Sequence, residues 1–234
     1  DPGAVASSGL AVVYSTSNTA VATVVSGKIH LTGAGTVTIY ASQPGNDYFM
    51  PATQLSQNLV VNKKGLTVTG AAVVTRQYDG TTGATISGAV LSGIVGSDNV
   101  TITNSTSGVF ASANAGTDIT VTTSMGLSGT AAGSYTLTQP ELKGTISQKQ
   151  ITIIPGNGQS KIYGQTDPVL LYTISPALVG TDAISGSLGR VSGENAATYL
   201  FTTGSLTAGA NYALSTDQSV IFTINKKPVT VTAD

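Results

Sequence analysis

Asn62-Lys63-Lys64-Gly65-Leu66-Thr67-Val68-Thr69, Ser147-Gln148-Lys149-Gln150-Ile151-Thr152-Ile153-Ile154 and Asn225-Lys226-Lys227-Pro228-Val229-Thr230-Val231-Thr232 are three versions of one phrase. Each begins polar and basic, then sets aliphatic or β-branched residues against polar ones, the two-residue period of a strand with one face on a core. Aligned on Lys64, Lys149 and Lys227, the copies recur at nearly equal intervals. A second marker keeps step: Tyr48, Tyr135 and Tyr212 precede those lysines at an almost constant distance. Two markers in constant phase indicate a module repeated head to tail.

Working outward, the same alternation recurs in Val100-Thr101-Ile102-Thr103 and Ile119-Thr120-Val121-Thr122. Gly-Ser, Ala-Gly, Asp-Gly and Gly-Asn pairs separate such runs and supply turn chemistry. No stretch of a dozen residues has helical periodicity, and the Ala-rich pieces 111–116 and 194–197 read as connections between strands. Several short strands at this spacing predict an all-β chain of tandem Ig-like β-sandwiches. The interval from Lys64 to Lys149 is long enough for each copy to close a core, whereas solenoid repeats are much shorter. The expected bodies are residues 1–63, 64–148 and 149–226, with 227–234 an opening strand. Short junctions without a Pro- or Ser-rich hinge predict an elongated, semi-rigid rod.

Composition excludes several functions. Charged residues are only 9% of the chain and the net charge is −1, so there is no basic surface for nucleic acid. No apolar run approaches the length of a membrane helix. Cysteine is absent, so neither disulfides nor a thiolate zinc site can staple the small bodies. Hydrophobic residues reach 40%, which argues against disorder despite the low charge. Asp1-Pro2-Gly3 does not read as a signal peptide, so the stretch is expected to be mature or internal.

Residues 77–82 (Gln-Tyr-Asp-Gly-Thr-Thr), 91–98 (Leu-Ser-Gly-Ile-Val-Gly-Ser-Asp) and 132–137 (Ala-Gly-Ser-Tyr-Thr-Leu) give the second body its character. It resembles the YDG-type repeat domains of bacterial surface proteins. The third body carries Lys161-Ile162-Tyr163-Gly164-Gln165-Thr166-Asp167-Pro168 and Leu178-Val179-Gly180-Thr181-Asp182, and is similar to the MBG-type domains of large adhesins. The first, with Tyr14-Ser15-Thr16-Ser17-Asn18 and Gly33-Ala34-Gly35-Thr36-Val37-Thr38-Ile39, resembles bacterial Ig-like repeats. The resemblance implies an extracellular, cell-surface, adhesive or structural protein. It implies no catalytic residues, cofactor or metal. Partners would be neighbouring modules, other copies of the chain, or host, cell-surface or glycan ligands.

Candidate chemistry is sparse. Tyr48, Tyr135 and Tyr212 are expected to be structural tyrosine corners, ring in the core and hydroxyl on nearby backbone, rather than ligand-stacking aromatics. Tyr78 and Tyr163 are expected to plug the opening turns of their bodies. Asp79, Asp98, Asp167 and Asp182 lack the spacing of a calcium loop and are expected to cap turns. His30, the sole histidine, falls on the solvent side of a strand-like run, and Glu141 and Glu194 are the sole glutamates, in different bodies. No acid–base or nucleophilic constellation results. An isopeptide cross-link would need a buried lysine, and the junction lysines are expected to be exposed. A carbohydrate- or protein-binding module is an alternative reading, although only 13 aromatics are present and none is Trp.

The ends differ from the middle. From opening lysine to corner tyrosine the second body runs from Lys64 to Tyr135 and the third from Lys149 to Tyr212, while the stretch ahead of Tyr48 is markedly shorter than either. The shortfall is about one strand and its turn. Either the sequence is a window on a longer repeat chain, or Lys227, Pro228, Val229, Thr230, Val231, Thr232 and Ala233 form a donor strand. In the second case they would enter a groove near Ala4–Val13 of the next copy and build a head-to-tail filament.

Overall fold

The computed structural model describes residues 2–233; Asp1 and Asp234, the outermost residues of the first and last expected segments, lie outside them. The chain is all-β, as its alternation predicts, with 23 short strands and one 3-10 turn at Ala132–Ser134 among the described residues. Strands rather than helices form because β-branched residues on one face pack well on a pleated surface while Thr faces water. Lys149–Pro155 shows the principle: Ile151, Ile153 and Pro155 are buried, Thr152 and Ile154 between them are half-buried, and Gln150 before them is exposed. Each fully buried Ile contributes about 1.5–3 kcal/mol.

By compactness the chain divides into two units, each built from separated segments. The first runs to Ala72 and adds Ile86–Ser107 and Thr123–Pro140. It contains an antiparallel sheet with Gly35–Ser42 between Val13–Thr16 and Leu55–Val61. The hairpin Ala22–Val25/Lys28–Leu31 turns on Ser26 and Gly27, whose φ values of +51° and +76° suit the twist of a two-residue loop. Val21, Ala22 and Val37 form a small core with Ile29, Ile39, Leu59 and Val61. A second sheet sets Lys64–Thr69 between Val90–Ser92 and Tyr135–Leu137, the latter in parallel, over a core of Leu66, Val100 and Tyr135.

The second unit comprises Val73–Thr85, Gly108–Thr122 and the residues from Glu141 onward. A six-strand sheet ends on Leu142–Ser147 and, in parallel with it, Arg76–Gln77. A three-strand sheet centres on Lys149–Pro155, antiparallel to Tyr172–Ser175 and parallel to Tyr212–Thr216. A four-strand sheet orders Ser160–Ile162, Ile221–Asn225, Thr198–Thr202 and Gly189–Arg190. One hydrophobic cluster runs through this unit from Phe110, Val121 and Ile146 to Ile151, Phe201 and Phe222. The core therefore continues across the Gln148–Lys149 boundary, where the sequence suggested separate bodies.

Candidate functional site

The constant phase of lysine and tyrosine is a register. Parallel pairing sets Tyr135 opposite Lys64 and Tyr212 opposite Lys149. Both rings are buried, and each hydroxyl meets a turn of the same kind in its own repeat. The Val95 N–H donates to Tyr135 Oη at 3.0 Å, and that hydroxyl donates to Asp98 Oδ2 at 2.5 Å. The Val179 N–H donates to Tyr212 Oη at 2.8 Å, and that hydroxyl donates to Asp182 Oδ2 at 2.7 Å. Each turn closes with the aspartate amide donating to the valine carbonyl at 3.0 Å. Gly96 and Gly180 take the φ values of +53° and +55° that this turn requires. The hydrogen bond to Asp98 raises the Tyr135 pKa, and burial is the main cause of the rise at Tyr212.

Tyr48 departs from this pattern and corrects the third expected corner: its ring is 89% exposed. Asn46 Oδ1 accepts the Tyr48 and Phe49 amides at 2.9 and 3.0 Å, folding a local turn that projects the ring outward. No strand pairs with Tyr48 among the described residues. Without a parallel neighbour there is no core beneath the ring.

Tyr78 and Tyr163 are equivalent by register but not by environment. The Tyr78 N–H donates to Ser147 O and the Tyr163 N–H to Asn225 O, both at 2.9 Å. Tyr78 is buried, and its partner is far along the chain: its hydroxyl donates to Asp182 Oδ2 at 3.0 Å. Its ring meets Tyr212 edge to face at 5.4 Å. One carboxylate oxygen thus accepts two tyrosine hydroxyls, and the bond to Asp182 is the leading cause of a raised Tyr78 pKa. Beside it the Ala115 N–H donates to Asn211 Oδ1 at 2.9 Å, and Asn211 Nδ2 donates to Asn114 Oδ1 at 3.2 Å. Gln148 Nε2 donates to Ala210 O at 3.0 Å. The first unit holds a smaller counterpart, where the Ala34 N–H donates at 3.0 Å to the hydroxyl of Ser134, the residue before Tyr135. Tyr163, in contrast, is 50% exposed rather than plugged into a turn.

An ion cluster escaped the sequence reading. The Lys161 side chain is only 3% exposed; its Nζ lies 2.6 Å from Asp167 Oδ1 and also contacts Glu194. Arg190 grips Asp167 through Nε and Nη2 at 2.7 and 2.9 Å, reaches Glu194 at 2.7 Å and stacks over Tyr199 and Phe222. A buried lysine beside two carboxylates holds the parts of an isopeptide site. Amide formation, however, needs a neutral amine and a protonated acid. Arg190 lowers the Asp167 pKa, while hydrogen bonds to Asp167 and then Glu194 raise that of Lys161. Both groups are held charged, so the arrangement is set up as a paired network.

The remaining candidates are dispersed. Asp79 accepts the Thr81 amide and hydroxyl at 2.8 and 2.7 Å and pairs with Arg76; the Thr81 bonds lead the lowering of its pKa. His30 is exposed, opposite Thr23 in the hairpin. No group of three His, Asp or Glu among the described residues is placed to hold a metal ion. Lys227–Ala233 belongs to no sheet, and Val229 and Val231 are 86% and 95% exposed. Near Ala4 a hollow of about 670 Å³ opens beside Tyr14, Leu31, Ile39 and Leu55. Tyr14 Oη accepts the Ala4 N–H at 2.8 Å and fixes that stretch at its rim. A second hollow of about 510 Å³ adjoins the ion cluster at Asp167, Arg190 and Glu194. No helix of the described residues is long and apolar enough to cross a membrane.

With this geometry in view, the comparisons divide the chain. Residues 62–142 match the family model of the YDG domain, and residues 151–223 match that of the MBG domain of the YGX type. The two matches follow one another along the chain, the YDG match first and the MBG match after it. Tyr78 and Tyr163, register equivalents, fall one within each match. No curated protein matches the chain.

Proposed function

We propose that this chain is a structural and adhesive repeat region of an extracellular, bacterial cell-surface protein, a semi-rigid stalk that works by reach and contact rather than by turnover. The reading divides it into an Ig-like repeat at 1–63, the YDG repeat at 64–148 and the MBG repeat at 149–226. One observation carries it: the contact of an Ala amide with the residue before a corner tyrosine occurs twice, at Ala34–Ser134 and Ala115–Asn211. Such recurrence suits a chain that is lengthened by adding units and must resist bending at each joint. Protease treatment of intact cells producing the full-length protein tests the location. Loss of this region while a cytosolic marker survives supports the reading, and protection until lysis contradicts it.

A second reading is a filament subunit that lends residues 227–233 to the first repeat of another copy. The hollow beside Leu31 and Leu55, and the exposure of Val229 and Val231, favour it. Sedimentation across concentrations distinguishes the two, since strand lending predicts growing oligomers and the stalk reading a monomer.

A further inference from the structure

Three registers superimpose. Gly35 pairs with Val61 and Gly116 with Ile146, while the Ile224 N–H donates to Ala197 O. Val61, Ile146 and Ile224 each stand three residues before the aligned lysine. Ala34, Ala115 and Ala196, one residue before Gly35, Gly116 and Ala197, are therefore equivalent backbone positions. Asn114 corresponds to Asn195 and Tyr78 to Tyr163 in the same way. The first two alanine amides donate to Ser134 and Asn211. The third has no acceptor among the described residues, and neither does the Tyr163 hydroxyl.

We propose that Tyr163, Asn195 and Ala196 form a docking face for the corner end of a further module of the same build, joined through residues 227–233. The occupant is defined by the two filled junctions. It presents a turn aspartate to accept the Tyr163 hydroxyl, as Asp182 accepts Tyr78, and a buried corner tyrosine edge-on to the Tyr163 ring. The residue before that tyrosine carries a side-chain oxygen for the Ala196 amide, as Ser134 and Asn211 do for Ala34 and Ala115. Residues 227–232 repeat the opening phrase whose lysine pairs in parallel with the corner tyrosine in both filled cases. A strand entering there brings its own corner beside Tyr163. The tyrosines of the YDG and MBG motifs thereby acquire one shared task, joining their repeat to the next. The alanine-amide contact stands on two junctions and the tyrosine contact on the one at Tyr78, and both are independent of where the protein resides.

Tyrosine nitration tests it, with the exposed Tyr48 as the reactive reference and Tyr78 as the protected one. In the present chain Tyr163 is expected to react. In a chain where residues 149–234 follow Lys226, the added Asp182 and Tyr212 face the first copy's Tyr163, which should lose reactivity to the level of Tyr78. Asp182→Asn in the added copy should restore it. A second chain, with residues 64–234 following Lys226, presents Asp98 and Tyr135 instead and keeps the test decisive if the first addition does not fold. Undiminished reactivity of Tyr163 in both extended chains overturns the proposal. Protection of Tyr163 in the unextended chain at high concentration also overturns it, by assigning the face to a second copy.

Discussion

Replacing Tyr212 by Phe removes one oxygen atom and leaves the ring, its burial and its edge-on contact with Tyr78 in place. The lost oxygen accepts the Val179 amide at 2.8 Å and donates to Asp182 at 2.7 Å. A neutral hydrogen bond contributes about 0.5–1.5 kcal/mol and one to a charged group about 1.5–3 kcal/mol. Asp182 keeps the Tyr78 hydroxyl and recovers part of the second figure. The net cost should be about 2–3 kcal/mol, which lowers the melting temperature of a unit this size by roughly 6–12 °C. Urea unfolding of Tyr212→Phe, Asp182→Ala and the double variant measures it, with a coupling energy of about 1 kcal/mol expected between the two sites. A Phe variant within about 0.5 kcal/mol of the parent, the range of ordinary surface changes, would refute the reasoning.

Tyr48→Ala should change stability by less than about 0.5 kcal/mol, measured in the same urea assay, because the ring is 89% exposed. The folded pKa values of Asp79, Asp167 and Glu194 are lowered, so their contribution is complete above the unfolded carboxylate range and is lost as pH falls through their folded values. Tyr78, Tyr135 and Tyr212 are raised, so theirs is complete below the unfolded tyrosine pKa of about 10 and is lost at higher pH. Denaturation midpoints from acid to alkaline buffer should therefore form a plateau that falls at both ends. Intact-mass spectrometry should return the full sequence mass, since Arg190 keeps Asp167 ionised; a deficit of one water would reveal an amide with Lys161.

The strands were legible because Leu66, Val68, Ile151 and Ile153 alternate with polar residues, and a half-buried sheet admits no other periodicity. Tyr135 and Tyr212 were legible from phase alone. Phase failed at Tyr48 because it records distance along the chain and says nothing of whether a parallel strand lies alongside. Asp98 and Asp182 read as turn caps; their bonds to the hydroxyls of Tyr135 and Tyr212 depend on partners remote in the chain. Lys161 was missed because a lysine in an alternating strand reads as solvent-facing. Its burial becomes possible only when Glu194, from a later loop, and Asp167 close around it. Tyr78 reads as a local plug, and only the folded second unit brings Asp182 to it.

Amide hydrogen exchange at Ala34, Ala115 and Ala196 tests most directly whether equivalent positions in successive repeats are docking amides. Slow exchange at Ala34 and Ala115 with fast exchange at Ala196 is the predicted result. Equal exchange at all three would contradict it, because the register would then carry no junction.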